Sequence, residues 1–309
     1  MAQKLVLVLS CVASAALITA CGGGSDSIGW NNNGTTPVSL QFAAYSGTTP
    51  IQCGTAITGL GSTSKSANIL DMRFYISNVQ FIRADGTQVA LQPATDNNNY
   101  AGTDGKGTDS VSLITLSQTG VGACTAGTAL NKAIQGTLAA GNYTGVTMTL
   151  GVPFSLNHLN STDPATPAVL RSDVNPSMSW NWRGGRKFTK IELQSTETGN
   201  PVTLLHLGST GCVGDPANGT PISGCTAPNR VTLNFASFDP TKQSIALDVQ
   251  SLFAASDFTA ANSCMSSPTA AVCTDPFSAL ALNFNATDGS GTGLPLASKT
   301  QTAFKTISR

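Results

Sequence analysis

Charged side chains are scarce in this 309-residue sequence, and the few that occur balance one another. Lysine and arginine together number 16, aspartate and glutamate together number 16, and all four make up only 10% of the chain. A protein that binds nucleic acid needs a basic face. The one cationic cluster contains only Arg183, Arg186, Lys187 and Lys190. We therefore expect no nucleic-acid partner.

Recognisable catalytic motifs are also missing. The sequence contains no G-x-S-x-G elbow, H-E-x-x-H pair or Walker loop, which are the local signatures of several large enzyme classes. Serine is abundant, and nothing singles out one serine as the nucleophile of a triad with either histidine. We expect that the protein is not itself an enzyme.

Long apolar runs are absent after the first twenty residues. Residues 1–20 combine Lys4, a short apolar run and the small-residue ending "ITAC", a pattern typical of a secretory signal and too short to remain as a membrane span. "ITAC" also resembles a bacterial lipobox, which predicts lipid on Cys21; the alternative is an ordinary soluble signal peptide. The sequence thus predicts an exported lipoprotein at the periplasmic face or outer membrane, held to the membrane by its lipid anchor only.

The segment after the signal contains too little apolar surface to fold. Residues 21–36 are rich in Gly, Ser and Asn and are predicted to form a flexible tether. The remaining residues, 37–309, show no internal repeat and no second compositional regime. They are predicted to form a single domain.

Six cysteines remain once Cys11 is removed with the signal and Cys21 is assigned to lipid. An even number in an exported chain favours three disulfides, although sequence alone permits fifteen pairings of six cysteines. A structural zinc site is the alternative, but the sequence has no C-x-x-C pair and no histidine at ligand spacing from a cysteine. The late cysteines fall into two close-spaced couples, which leaves the early two for each other: Cys53, Cys124; Cys212, Cys225; Cys264, Cys273.

Alternating and β-branched segments bounded by turn residues predict an all-β fold, an antiparallel β-sandwich stapled by disulfides. The "ADGT" segment is a hairpin signal, Asp275 and Pro276 are a possible helix start, and residues 92–110 and 159–177 are predicted as long loops. The predicted strands are 38–45, 72–82, 84–91, 143–152, 187–194, 201–207, 230–238 and 243–253.

The chain has only two histidines, His158 and His206, and each follows an apolar, strand-like run at the edge of a loop. The ordinary interpretation of such a residue is a half-buried, hydrogen-bonded side chain. In an exported protein whose cysteines are oxidised, however, imidazole is the best remaining ligand for copper or zinc. Two imidazoles make an incomplete site, so a third ligand is needed.

Two of the three tryptophans, Trp180 and Trp182, lie two residues apart in "SMSWNWRGGRKF". If this segment is extended, both side chains point to the same face. Such a pair can be a packing ladder with a stacked arginine, or a wall on which a ligand such as a sugar stacks.

Several blocks of the sequence resemble the MbnP-like family, also called the metallo-mystery pair system four-Cys motif family. The most specific are the Trp-x-Trp block and the His-x-Gly-Ser-Thr-x-Cys block, and the match runs in order from about residue 38 to 290. The blocks are 71–81, 151–158, 178–193, 204–212 and the late cysteines.

The resemblance implies a function that depends on a partner. The family's partner is a secreted di-haem enzyme of the cytochrome c peroxidase and MauG type, called MbnH. The resemblance implies that this enzyme converts one tryptophan, Trp180 or Trp182, to kynurenine. Copper, favoured as Cu(I), would then bind to His158, His206 and the kynurenine, for copper acquisition or storage. It also implies two disulfides among the four late cysteines. Arg186 departs from the family pattern, in which we expect an aromatic residue at this position.

The sequence is also compatible with two alternative functions. One is a binding or adhesion lipoprotein without metal, in which the tryptophan pair stacks on a ligand. The other is a copper enzyme with turnover, which would need an open coordination position.

Overall fold

The computed structural model describes residues 34–52, 54–102, 108–117, 130–180 and 185–309. These residues form eighteen strands, three short α-helices and three 3-10 turns. The strands of the first half are β1 (Thr35–Ser46), β2 (Thr49–Pro50), β3 (Ile57–Leu60), β4 (Lys65–Arg83), β5 (Gln88–Ala90), β6 (Gln92–Pro93), β7 (Asn99–Tyr100), β8 (Val111–Ser117), β9 (Ala133–Ala139) and β10 (Tyr143–Leu150).

The second half contains the remaining strands and all of the helices. The helices are α1 (Phe154–Asn157), α2 (Val249–Leu252) and α3 (Thr274–Ala279), and the 3-10 turns are Ala168–Leu170, Pro216–Asn218 and Ala271–Cys273. The strands are β11 (Thr189–Ser195), β12 (Val202–Leu207), β13 (Thr210–Asp215), β14 (Thr220–Ala227), β15 (Val231–Phe235), β16 (Gln243–Asp248), β17 (Asn262–Cys264) and β18 (Phe304–Ser308).

Two large sheets pack face to face, as the sequence predicts for a β-sandwich. One has the order β18-β16-β1-β9-β6, and the other has the order β15-β10-β4-β11-β12-β17. Their inner faces meet at Phe74 of β4, whose ring lies 5.8 Å from that of Phe42 on β1 and 5.4 Å from that of Phe304 on β18. Edge-to-face rings at this spacing are typical of a sandwich core.

The strand pairing differs from the prediction in one respect, because the sheets are mixed. The pairs β1–β16 and β12–β17 are parallel, and the other strand pairs are antiparallel. Parallel neighbours require long connections, and the alternation within each segment carries no information about which distant strand will lie beside it.

The predicted strand 243–253 is only half correct. Strand β16 ends at Asp248, whose carboxylate accepts hydrogen bonds from the backbone N–H groups of Gln250 and Ser251. This is an N-cap, so the apolar residues that follow form α2 instead of extending the strand. The possible helix start at Asp275 and Pro276 is confirmed by α3.

Two disulfides join the late cysteines in the close-spaced couples. Cys212–Cys225 is a cross-strand bridge of the separate β13–β14 hairpin, and Cys264–Cys273 ties β17 to the following 3-10 turn. The predictions for Cys21, Cys53 and Cys124 fall outside the described residues. No helix in the described ranges has the length and apolar character needed to span a membrane.

Candidate metal centre

One buried face of the larger sheet carries His206 and a row of charged side chains. His206 on β12 is directly opposite Lys190 on β11, and Lys190 is in turn opposite Arg73 on β4. Glu192 and Asp71 are also opposite each other, two residues farther along their strands. Because side chains two residues apart on a strand share a face, the register alone brings these five side chains together.

The charged groups form a continuous chain of ion pairs that ends at His206. Arg73 donates two hydrogen bonds to the Asp71 carboxylate, at 2.8 and 2.7 Å. Lys190 Nζ lies 2.6 Å from Asp71 Oδ2 and 3.2 Å from Glu192 Oε1, and Glu192 Oε1 lies 2.7 Å from His206 Nε2. Buried charges are tolerated only when they are paired and hydrogen-bonded, and here two cations alternate with two anions.

His206 is held so that one ring nitrogen is anchored and the other is not. Burial lowers the pKa of His206, with the hydrogen bond to Glu192 acting in the opposite direction, so the imidazole is neutral near pH 7. Burial raises the pKa of Glu192, but the His206 hydrogen bond and the Lys190 charge outweigh it and lower the pKa to about 2. Nε2 therefore carries the proton and donates it to Glu192. Among the described residues, the buried Nδ1 has no hydrogen-bond partner.

Trp180 lies beside this imidazole. The two rings meet edge to face with centroids 6.0 Å apart, and Lys187 Nζ lies 5.0 Å from the centroid of the Trp180 ring. The indole also packs closely against Gly208, where a Cβ atom would lie 2.9 Å from Trp180 Nε1 and 2.7 Å from the Arg186 carbonyl oxygen. Glycine is thus required at the position two residues after His206.

His158 occupies a different environment, at the end of α1. Its ring is half-buried, with Nε2 3.0 Å from the Asn157 amide nitrogen and 3.6 Å from Cys225 Sγ. The Phe154 ring lies edge to face at 5.4 Å. These contacts are neutral, in contrast to the charged contacts of His206.

Arg186 fixes the backbone around His158. Its fully buried guanidinium donates to the carbonyl oxygens of Asn157 and Leu159, the two neighbours of His158, at 2.9 and 2.6 Å, and to that of Leu170 at 3.0 Å. The Arg186 N–H also donates to Asn157 Oδ1 at 2.9 Å. Arg186, where the resemblance led us to expect an aromatic residue, therefore has a structural role at the histidine-bearing turn.

A backbone hydrogen bond connects the surroundings of the two histidines. Trp180 N–H donates to the Gly185 carbonyl at 3.0 Å. Trp180 contacts His206, and a Cβ atom on Gly185 would lie 3.4 Å from His158 Cε1. Trp182 falls within 181–184, outside the described residues.

Sequence reasoning missed the residues that orient the histidines. Glu192, Lys190 and Asp71 lie within the blocks that carry the family resemblance, but nothing in those blocks marks them as partners of a histidine, and Asn157 looks like an ordinary turn residue. One signal was available: "TKIEL" and "DMRF" place charges two residues apart within otherwise apolar strands, which predicts a buried polar face.

Comparisons with known proteins agree on one family. A sequence model of the MbnP family matches residues 35–266. Among solved structures, MbnP from Methylosinus trichosporium superimposes with a TM-score of 0.73 at 27% sequence identity, over 89% of this chain and 99% of that chain. No curated protein sequence matches.

Proposed function

This chain belongs to the MbnP family, and we propose that it is an exported copper-binding protein whose site is completed when a partner enzyme converts a tryptophan to kynurenine. The family is associated with methanobactin and copper. The proposed ligands are His158, His206 and the kynurenine derived from Trp180 or Trp182. The proposed role is copper acquisition or storage at the cell envelope, by a lipoprotein that is not itself an enzyme.

The observation that carries the proposal is the hydrogen bonding of the two ring nitrogens of His206. A metal-binding histidine usually donates its second ring N–H to a carboxylate, which fixes the tautomer and orients the ring. Glu192 has this relation to His206 Nε2. The buried Nδ1 keeps a lone pair that no described residue uses, and a buried polar atom without a partner is costly unless a ligand satisfies it.

The contact between Trp180 and His206 supports a tryptophan-derived third ligand. Indole nitrogen is a donor only and binds no metal. Oxidative opening of the ring gives an aniline nitrogen and a ketone, so a non-ligand becomes a ligand. Two neutral imidazoles and an amine suit Cu(I), which prefers soft and nitrogen ligands and needs no compensating carboxylate.

The proposed partner is a di-haem enzyme of the cytochrome c peroxidase and MauG type, which would supply the oxidising equivalents. The contribution of this chain is to present the tryptophan and to hold the histidines. Copper binding then becomes conditional on an enzymatic step, which a third histidine at this position would not allow.

The test is to isolate the protein from its native host and to examine the tryptic peptide 172–183, which contains both tryptophans. Fragmentation mass spectrometry should find kynurenine at one position, distinct from oxidation of Met178. The same protein should bind Cu(I) with a stoichiometry that protein expressed without the partner does not reach. Intact tryptophans in cells that express the di-haem enzyme would refute the proposal.

The ligand-stacking alternative is less well supported. Stacking requires an open aromatic face, and the Lys187 ammonium group already lies over the Trp180 ring while His206 contacts its edge. A stacked ligand would have to displace this cation.

A further inference from the structure

His158 lies against a disulfide as well as close to Gly185. Its Nε2 is 3.6 Å from Cys225 Sγ, and the ligand atoms of His158, Cys212 and Cys225 all lie within 4.8 Å of one another. In the oxidised protein the two sulfurs are bonded to each other and are poor ligands. We propose that reduction of the Cys212–Cys225 disulfide creates a second metal site, in which two thiolates and the His158 imidazole bind a soft cation such as Cu(I).

The distances suit such a site. Metal–sulfur and metal–nitrogen bonds of ~2.3 and ~2.0 Å place the nitrogen and each sulfur of a trigonal site roughly 3.7 Å apart. The observed separation between His158 Nε2 and Cys225 Sγ is 3.6 Å. The sulfurs themselves must separate to about 4 Å by the same bond lengths, which rotation about the Cα–Cβ bonds can provide.

The hairpin keeps the two cysteines together after the bond is broken. Cys212 and Cys225 are directly opposite each other in the β13–β14 register, with Val213 opposite Gly224 and Thr210 opposite Ala227. Ser209 Oγ also donates to the Pro228 carbonyl at 2.9 Å, just beyond the hairpin's end. The disulfide closes a separation of only 13 residues, so its reduction releases little additional chain freedom.

Cys225 is the more exposed end of this bond, since Cys212 is only 5% exposed. Cys225 is half-buried and lies in a hairpin outside both large sheets. His158 lines an open cleft of about 380 Å³ between α1 and the hairpin, with Phe154, Pro221 and Ile222 among its walls. The other bridge, Cys264–Cys273, has both residues fully buried, and within the described part of the chain no histidine groups with it as a candidate metal ligand.

The reaction requires a dithiol reductant. One thiolate of the dithiol attacks Cys225 Sγ, the S–S bond breaks, and Cys212 leaves as a thiolate that takes up a proton. The second thiol of the reductant then displaces Cys225, so that two electrons and two protons pass to the protein and the reductant becomes a disulfide. Binding of Cu(I) releases the two thiol protons. The Arg186 guanidinium donates hydrogen bonds to the carbonyls on both sides of His158. Its positive charge would stabilise the net negative charge of two thiolates and one Cu(I).

The two sites would compete for one histidine. This consequence rests on the proposed function, because only then is His158 also a ligand of the kynurenine site. Oxidised protein would leave His158 available to that site, and reduced protein would draw it to the thiolates.

The test uses the mature chain expressed without the di-haem partner, so that the tryptophans are intact and the kynurenine site is not formed. Oxidised and phosphine-reduced samples are titrated with Cu(I) against a chromogenic chelator under anaerobic conditions. The reduced protein should bind one Cu(I) that the oxidised protein does not. His158→Ala should weaken this binding by about 100-fold or more, because loss of a group that only orients a metal ligand already costs ~10–100-fold.

Two cysteine variants identify the thiolates. Cys264→Ser/Cys273→Ser should retain the reduction-dependent Cu(I), and Cys212→Ser/Cys225→Ser should lose it. Retention in the latter variant, or equal binding by wild type and His158→Ala, would overturn the proposal. The His158→Ala variant keeps every cysteine, so the comparison of its Cu(I) binding with that of wild type does not depend on the folding of a cysteine variant. The kynurenine site, which needs both histidines and a modified tryptophan, can fail or succeed independently.

Discussion

The two histidines are held by opposite kinds of contact. His206 lies near the end of strand β12 and at the end of a chain of buried ion pairs that fixes its tautomer. His158 follows a one-turn helix, is half-buried, and touches an amide, an aromatic ring and a disulfide. In the proposed copper site, His206 would therefore be oriented by a charged side chain of the sheet, and His158 by neutral contacts and by the backbone that Arg186 holds.

The largest expected effect is the loss of stability when the charged network that ends at His206 is disrupted. Asp71→Ala removes the carboxylate shared by Arg73 and Lys190 and leaves the buried Arg73 guanidinium without an anionic partner, so it should lower the free energy of unfolding by about 3–5 kcal/mol. Asp173→Ala is the matched control, since Asp173 pairs with Arg171 at the surface and should cost at most ~1 kcal/mol. Urea denaturation measures both, and equal losses would contradict the buried network.

The next effect concerns metal affinity. Glu192→Ala removes the group that fixes the His206 tautomer and should weaken copper binding by the kynurenine-containing protein by about 10–100-fold. Glu197→Ala is the control, because Glu197 lies just past the same strand and pairs with Lys65 at the surface. Chelator competition measures the difference. Unchanged affinity in Glu192→Ala would mean that Glu192 does not orient a ligand.

Gly208→Ala tests the packing of Trp180. A Cβ atom there would meet the Arg186 carbonyl oxygen at 2.7 Å and Trp180 Nε1 at 2.9 Å, so overpacking should cost about 1–3 kcal/mol. Gly224→Ala is the control, because no atom lies within 4 Å of a Cβ at that position. Thermal unfolding should separate the two variants, and tryptophan fluorescence should change only in Gly208→Ala.

The last expected effect is a dependence of stability on pH. The folded pKa of Glu192 is about 2, below its ordinary 4.5, so its contribution is complete above pH 4.5 and is lost as the pH falls toward 2. The lowered pKa of His206 acts in the same direction, because the unfolded state binds the proton more readily. Glu192→Gln should lose less stability than wild type across this interval, as measured by urea unfolding at each pH. Parallel curves for the two proteins would argue against the assigned Glu192 pKa.

Much of the fold was predictable because it is local. The alternation in "VSLQFAAY" or "RVTLNFASF" reports a half-buried strand whatever its neighbours are. The parallel pairing of β1 with β16 joins residues about 200 positions apart, and no local pattern encodes that. Strand β8 was missed because a strand buried along its whole length shows no alternation.

The candidate site was likewise predictable from the sequence only in part. The rarity of histidine and the Trp-x-Trp spacing drew attention to His158, His206 and the pair Trp180 and Trp182 without a structure, and did not decide between the two tryptophans. Glu192 could not be identified as the partner of His206, since that relation exists only when β11 and β12 adopt their register. The contact of His158 with Cys225 likewise depends on how the β13–β14 hairpin folds back over α1.

The arrangement of the smaller sheet has a consequence for the order of folding. Its strand β1 begins at Thr35, pairs with β16, and β16 pairs in turn with β18, which ends at Ser308. A sheet that joins such distant segments has a high contact order and forms slowly. During synthesis, the segment that carries β1 must wait for the segment that carries β18, so the sandwich is expected to close only after both segments have been made.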